Sequence, residues 1–236
     1  MSEIHDKQKT TILNLLTEKS VMKQDVFSNT ISVFKLLKEI LQERSNDLEN
    51  ELSKVDKRVS IVFKENGPQS IQLKVAGDML DFHMHSNVFE FEPSHPMFKT
   101  GYIKNNNLNS YCGIINVYNF LADSFKFNRL NDLGYLIARI FINREKKFFI
   151  ETKTQIGHRY SNFSNDPITK ETLTEIINEL IIFAVSFDLF TPPYEIVKSV
   201  TVAEIQEQQS ANALRTGKRL GYIAGSYGAS EDEINL

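Results

Sequence analysis

Two histidines two residues apart, His83 and His85, stand in a stretch that also holds Asp81, Glu90 and Glu92. On a strand, positions 83 and 85 project to the same side. Imidazole and carboxylate are donors that zinc and other first-row metals accept. His83, His85 and Glu90 are therefore the candidate metal set, which His95 joins only if the following loop folds back. The competing reading is the solvated outer face of a hairpin, where polar residues belong in any case.

Arg139 raises a second question, because it lies between Ile137 and Phe141 on an apolar face. A guanidinium there requires a carboxylate or an anionic ligand, since an unpaired buried charge is very costly. Asp123, Asp132 and Glu151 are near in sequence, with Glu151 expected on the opposite side of the hairpin. A third candidate is the run Asp123-Ser124-Phe125-Lys126-Phe127-Asn128-Arg129. Its Asp123, Lys126 and Arg129, interleaved with aromatic rings, can stack on and hydrogen-bond a nucleotide or a single strand. The plainer alternative is a polar connection with two residues tucked into the core.

No pattern specifies a reaction. Cys112 is the only cysteine and has no base beside it in sequence, the ordinary setting of a buried thiol. Gly217-Lys218-Arg219 lacks the earlier glycine and the following Ser or Thr of a phosphate loop. Neither a nucleophile elbow nor a dinucleotide glycine fingerprint is present, so no cofactor is expected.

The elements that must carry these residues follow from periodicity. Residues 3–18 form a short helix with Ile4, Ile12, Leu15 and Leu16 available to pack. A longer helix runs from about Lys23 to Asp56, where Gly and Pro are absent. Phe27, Phe34, Leu41, Leu48 and Val55 repeat every seven residues along it, one seam of a heptad. Its first half is broadly apolar and its second half keeps only a thin stripe on a charged rod. The helix either lies across its own sheet or pairs its distal half with another subunit.

The period then changes to two. Val59, Ile61 and Phe63, a turn at Glu65–Gln69, and Ile71, Leu73 and Val75 make a hairpin with one apolar face. In Met79–Glu92 the apolar positions switch from even (Leu80, Phe82, Met84) to odd (Phe89, Phe91). A turn at Ser86-Asn87 explains the switch by pairing Met84 with Phe89 and setting Glu90 opposite His83. A bulge produces the same phase change. Residues 93–110 read as a loop, and Tyr111–Ala122 as a strand, with a helix still open.

Tyr135–Ile142 and Phe148–Thr152 flank a polar tip, Asn143–Lys146. Leu136, Ala138, Ile140 and Ile142 fall on one side; Tyr135, Ile137 and Phe141 fall on the other. A strand apolar on both sides must be covered on both. Tyr135, Ile137 and Phe141 therefore join the heptad seam as candidate interface residues. Thr169–Phe190 is a helix ended by Pro192-Pro193. Thr201 and Glu204 form a capping-box pair for a shorter helix to about Leu214. A Gly-rich segment with Gly217, Gly221 and Gly225, then an acidic end, follows.

Composition narrows the classes. The chain has 236 residues, 41% apolar and 24% charged, with a net charge of −3. A pI of about 6.0 argues against nucleic acid as a partner. The apolar window Leu180–Val185 is too short to span a bilayer. The polar first ten residues contain no signal-peptide core, and the lone thiol points to the cytoplasm.

The expected architecture is α+β: a mainly antiparallel sheet of six or seven strands over 59–153, flanked by a long N-terminal helix and a C-terminal helix. Three regions result, 1–58 helical, 59–190 the core domain, and 191–236 a short helix and tail. The leading functional expectation is a non-enzymatic binding or scaffolding protein that self-associates or binds another protein. The alternative is an enzyme or a receptor for a nucleotide or anion, metal-assisted if the histidine cluster holds an ion.

Overall fold

The computed structural model describes residues 2–163, 166–189, 191–203 and 205–206. Glu204 and residues 207–214 of the helix expected to Leu214, with the three glycines and acidic end beyond it, lie outside the described residues. Among those described, no helix is long and apolar enough to cross a membrane.

The two expected N-terminal helices are joined. α1 (Ser2–Leu15) passes through a π-helical turn at Leu16–Ser20 into α2 (Val21–Val55). Seven antiparallel strands follow: β1 (Ile61–Glu65), β2 (Ser70–Val75), β3 (Asp78–Met84), β4 (Phe89–Glu90), β5 (Tyr111–Leu121), β6 (Tyr135–Ile142) and β7 (Phe148–Thr152). Their order is β1-β2-β3-β5-β6-β7, with β4 also paired to β5. Short helices α3 (Gly101–Asn105), α4 (Ala122–Lys126), α5 (Ile156–Arg159) and α7 (Tyr194–Val197) fill connections, and α6 (Lys170–Val185) is the second long helix. The mixed α+β class and the antiparallel sheet agree with the sequence.

α2 and α6 cover one side of the sheet. Val33, Phe34, Leu37, Ile40 and Leu41 of α2 share a core with Leu173, Ile176, Ile177 and Leu180 of α6. Ile71, Leu73, Leu80, Phe82, Ile115, Val117, Ile140 and Ile150 supply the sheet's part. α6 begins where Thr169 accepts a hydrogen bond from the Thr172 amide at 3.2 Å. It ends at Val185 rather than Phe190, with the Ser186 amide still reaching the Ile182 and Ala184 carbonyls.

Two local expectations are corrected, and one open alternative is decided. First, β3 and β4 do not form a hairpin. Both lie along the same edge of β5, with Met84 opposite Ile115 and Phe89 opposite Cys112. The Ser86-Asn87 break changes the phase without reversing the chain. Second, Tyr111–Leu121 is an eleven-residue strand at the centre of the sheet. Third, residues 93–110 are a folded cap: Met97 and Ile103 are buried with Phe141, Phe149 and Phe163 on the side of the sheet away from α2. The second apolar face of the β6–β7 hairpin is thus covered by the chain itself.

A bulge changes the face assignments on β6. Val117 pairs with Ala138 and Tyr118 with Leu136, leaving Ile137 as the extra residue. Ile137 therefore turns into the helix-covered core, and Leu136 turns outward, where it is exposed.

Candidate functional site

The side of the sheet away from α2 carries, beside the cap, a polar row built by cross-strand register. Ser70 is opposite His83, His83 opposite Asn116, Asn116 opposite Arg139, and Arg139 opposite Glu151. His83 and Arg139 come from separate sequence motifs, yet they lie in one row, two strands or roughly 10 Å apart. Glu151 shares a face with Arg139, contrary to the expected register, because the two are direct cross-strand partners. The Arg139 Nε–H donates to Glu151 Oε2 at 2.8 Å, and the guanidinium lies 5.3 Å from the Phe141 ring centroid.

His95 reaches the same carboxylate from the cap, with Nε2 4.0 Å from Glu151 Oε1. Its Nδ1 accepts from the Met97 amide at 3.2 Å, which places the neutral ring's proton on Nε2, toward Glu151. The imidazole thus sits between the cap backbone and the Glu151 carboxylate. A cleft of about 450 Å³ opens beside this chain of groups. Cys112 lines it, but burial pushes its thiol well above the ordinary range and keeps it protonated. The cleft thus offers carboxylates, Glu92 and Glu151, and a guanidinium, without an activated thiol.

The metal set does not assemble. Glu90 pairs opposite Tyr111, whereas His83 sits opposite Asn116 five residues along β5, roughly 17 Å away at strand rise. Glu90 accepts from the Tyr111 hydroxyl at 2.5 Å, and His85 Nδ1 accepts from the Asn87 amide at 3.0 Å. Among the described residues, no three His, Cys, Asp or Glu side chains gather into a metal-binding group.

Asp123, Lys126 and Arg129, by contrast, come together. They line a cavity of about 580 Å³ at the end of the sheet, joined by Lys74 from β2. Arg129 Nη1 is 3.6 Å from Asp132 Oδ2, with side chains only 9% and 4% exposed. The same Asp132 oxygen accepts from Ser124 at 2.6 Å. Arg139, the fourth residue of the expected ligand set, belongs to the other cleft. Lys74 escaped the sequence reading because only the strand register brings it to α4. Its alternation with Leu73 and Val75 marked it as outward-facing, and nothing more.

The eight candidate interface residues divide. Phe34, Leu41, Ile137 and Phe141 are buried in the chain's own core and present nothing to a second copy. Phe27 and Leu48 pack partly against that core, Tyr135 is half-buried, and Val55 is 84% exposed. The unpartnered apolar surface lies elsewhere. Every residue from Ile4 to Val21 is exposed, and Ile4, Ile12, Leu13, Leu15, Leu16 and Val21 are each at least 50% so. The helix meets the body again at Met22 and Val26, which pack with Tyr111. Lys19 and Lys23 hold their ammonium groups 5.2 and 5.6 Å from that ring's centroid.

No family model, curated protein or solved structure matches the chain.

Proposed function

We propose that this chain is a non-enzymatic binding or scaffolding protein of the cytoplasm that self-associates through its N-terminal helix. The observation that carries this reading is the unbroken exposure of Ile4–Val21 with its apolar side chains in water. Burying a leucine or isoleucine stabilises by about 1.5–3 kcal/mol, so a partner for this stripe has a substantial driving force. α2, anchored on the sheet, supplies the helical nucleus that an isolated segment of this length would lack.

Charge selects a second copy, running antiparallel. With Ile12 level with the other copy's Leu13, Asp6 stands level with Lys19, Lys7 with Glu18, and Ile4 with Val21. A parallel pair in register sets each of those charges beside its own like. The antiparallel arrangement is a closed two-fold, the commonest symmetry of soluble assemblies.

The test is the mass in solution of the full chain, of Ile12→Glu and of Leu16→Glu. Both substitutions fall on exposed helix (Ile12 56%, Leu16 52%), so folding is expected to be retained, which circular dichroism checks. A dimer converted to monomer by either change is the expected result. A monomeric unmodified chain overturns the reading.

A further inference from the structure

We infer that the cavity at the end of the sheet is a binding site for a small phosphate monoester carried on a flat ring, the chemistry of a nucleoside monophosphate. Three separate parts of the fold build it: β2 and β3 with the Ala76-Gly77 turn between them, the exit of β5 into α4 and on to Arg129, and Leu189 beyond α6. Its volume of about 580 Å³ lies within the roughly 300–1,000 Å³ typical of small-molecule sites.

Charge defines one requirement of the ligand. Lys74, Lys126 and Arg129 line the cavity against a single lining carboxylate, Asp123. Asp132 offsets Arg129 from behind and fixes its guanidinium, so the positive excess falls to the two lysines. Lys74 Nζ donates one hydrogen bond to Ser60 Oγ at 2.9 Å, which leaves two of an ammonium's three donors for a ligand. Lys126 is exposed, with Nζ 4.8 Å from the Phe127 ring centroid. Two ammonium groups with donors to spare suit the several acceptor oxygens of a phosphate.

Apolar surface defines the second requirement. Phe125 lines the cavity and is 43% exposed. Phe120 meets it in a T-shaped contact at 5.3 Å, which holds the ring while leaving surface free to stack. Met79, Leu121 and Leu189 complete this wall. Base–aromatic stacking is worth about 1–3 kcal/mol per base, so ring and phosphate each add affinity.

Calorimetric titration and thermal shift with adenosine monophosphate, adenosine, inorganic phosphate and benzoate provide the test. The monophosphate is expected to bind more tightly than adenosine or phosphate alone and to weaken as salt rises. Lys126→Gln, on an exposed side chain, and Lys74→Gln, on a half-buried one, are each expected to weaken it roughly tenfold. Phe125→Ala is expected to weaken the monophosphate and leave inorganic phosphate unchanged. Binding is expected to persist in the Ile12→Glu chain, which separates this site from the assembly surface. No saturable monophosphate binding, or binding indifferent to both lysine changes, overturns the assignment. Benzoate binding as tightly as the monophosphate overturns the phosphate head group.

Discussion

Thr30 of α2 and Gly113 of β5 meet with no room for a side-chain carbon between them. A Cβ at Gly113 would stand 2.0 Å from Thr30 Oγ1 and 2.8 Å from Thr30 Cβ. This contact sets where the long helix crosses the central strand, and therefore where its N-terminal part leaves the body. Thr30 Oγ1 donates to the Val26 carbonyl at 2.7 Å, so the hydroxyl is held against the glycine. Gly113→Ala is expected to destabilise the fold by about 1–3 kcal/mol through overpacking. Adding Thr30→Ala removes the nearest atom but keeps the Cβ, so recovery should be partial. Urea midpoints of the two single variants and the double variant measure this coupling.

The Arg139–Glu151 pair is expected to contribute little to stability. Its side chains are 43% and 37% exposed, and solvent screening holds such pairs to about 0.2–1 kcal/mol. A double-mutant cycle with alanine at both positions reads the coupling directly. A value of several kcal/mol would show that the guanidinium is anchored by more than its visible carboxylate.

Asp81 should make the fold less tolerant of neutral pH than of mild acid. Burial pushes its carboxyl above the ordinary value of 3.8, and the Gln72 side-chain hydrogen bond opposes this only in part. The folded chain therefore holds the proton more tightly than the unfolded one. The resulting stabilisation is complete below the unfolded pKa and is lost as pH rises through the folded pKa. Asp81→Asn, which keeps an acceptor for Gln72 Nε2, should be more stable than the parent at neutral pH. That advantage should shrink on acidification, as denaturation midpoints across the range will show.

The β1–β2 hairpin is legible in the sequence because its apolar residues alternate along each strand. Ile71, Leu73 and Val75 alternate with polar neighbours, and Asn66–Ser70 closes the turn with an amide–carbonyl bond of 3.0 Å. The β6 bulge is not legible. One extra residue leaves Leu136, Ile137 and Ala138 looking like any apolar run, and only pairing with Val117 and Tyr118 reveals it. The phase switch after Met84 is visible, but a hairpin and a break produce the same pattern. The partner strand, β5, is more than twenty residues away. The cap over Phe141 and Phe149 hides in Asn- and Pro-rich sequence, where Met97 and Ile103 follow no regular period. Asp123, Lys126 and Arg129 could be grouped because they are close in sequence. Lys74 and Glu151 reach their sites through strand register alone.

Sedimentation equilibrium of the full chain, beside its Ile12→Glu variant, addresses self-association most directly. The expected mass is twice the 27.1 kDa of one chain, falling to a single chain's mass when Ile12 becomes acidic. A single-chain mass for the unaltered protein throughout the micromolar range, or a dimer indifferent to the substitution, would contradict assembly through the N-terminal helix.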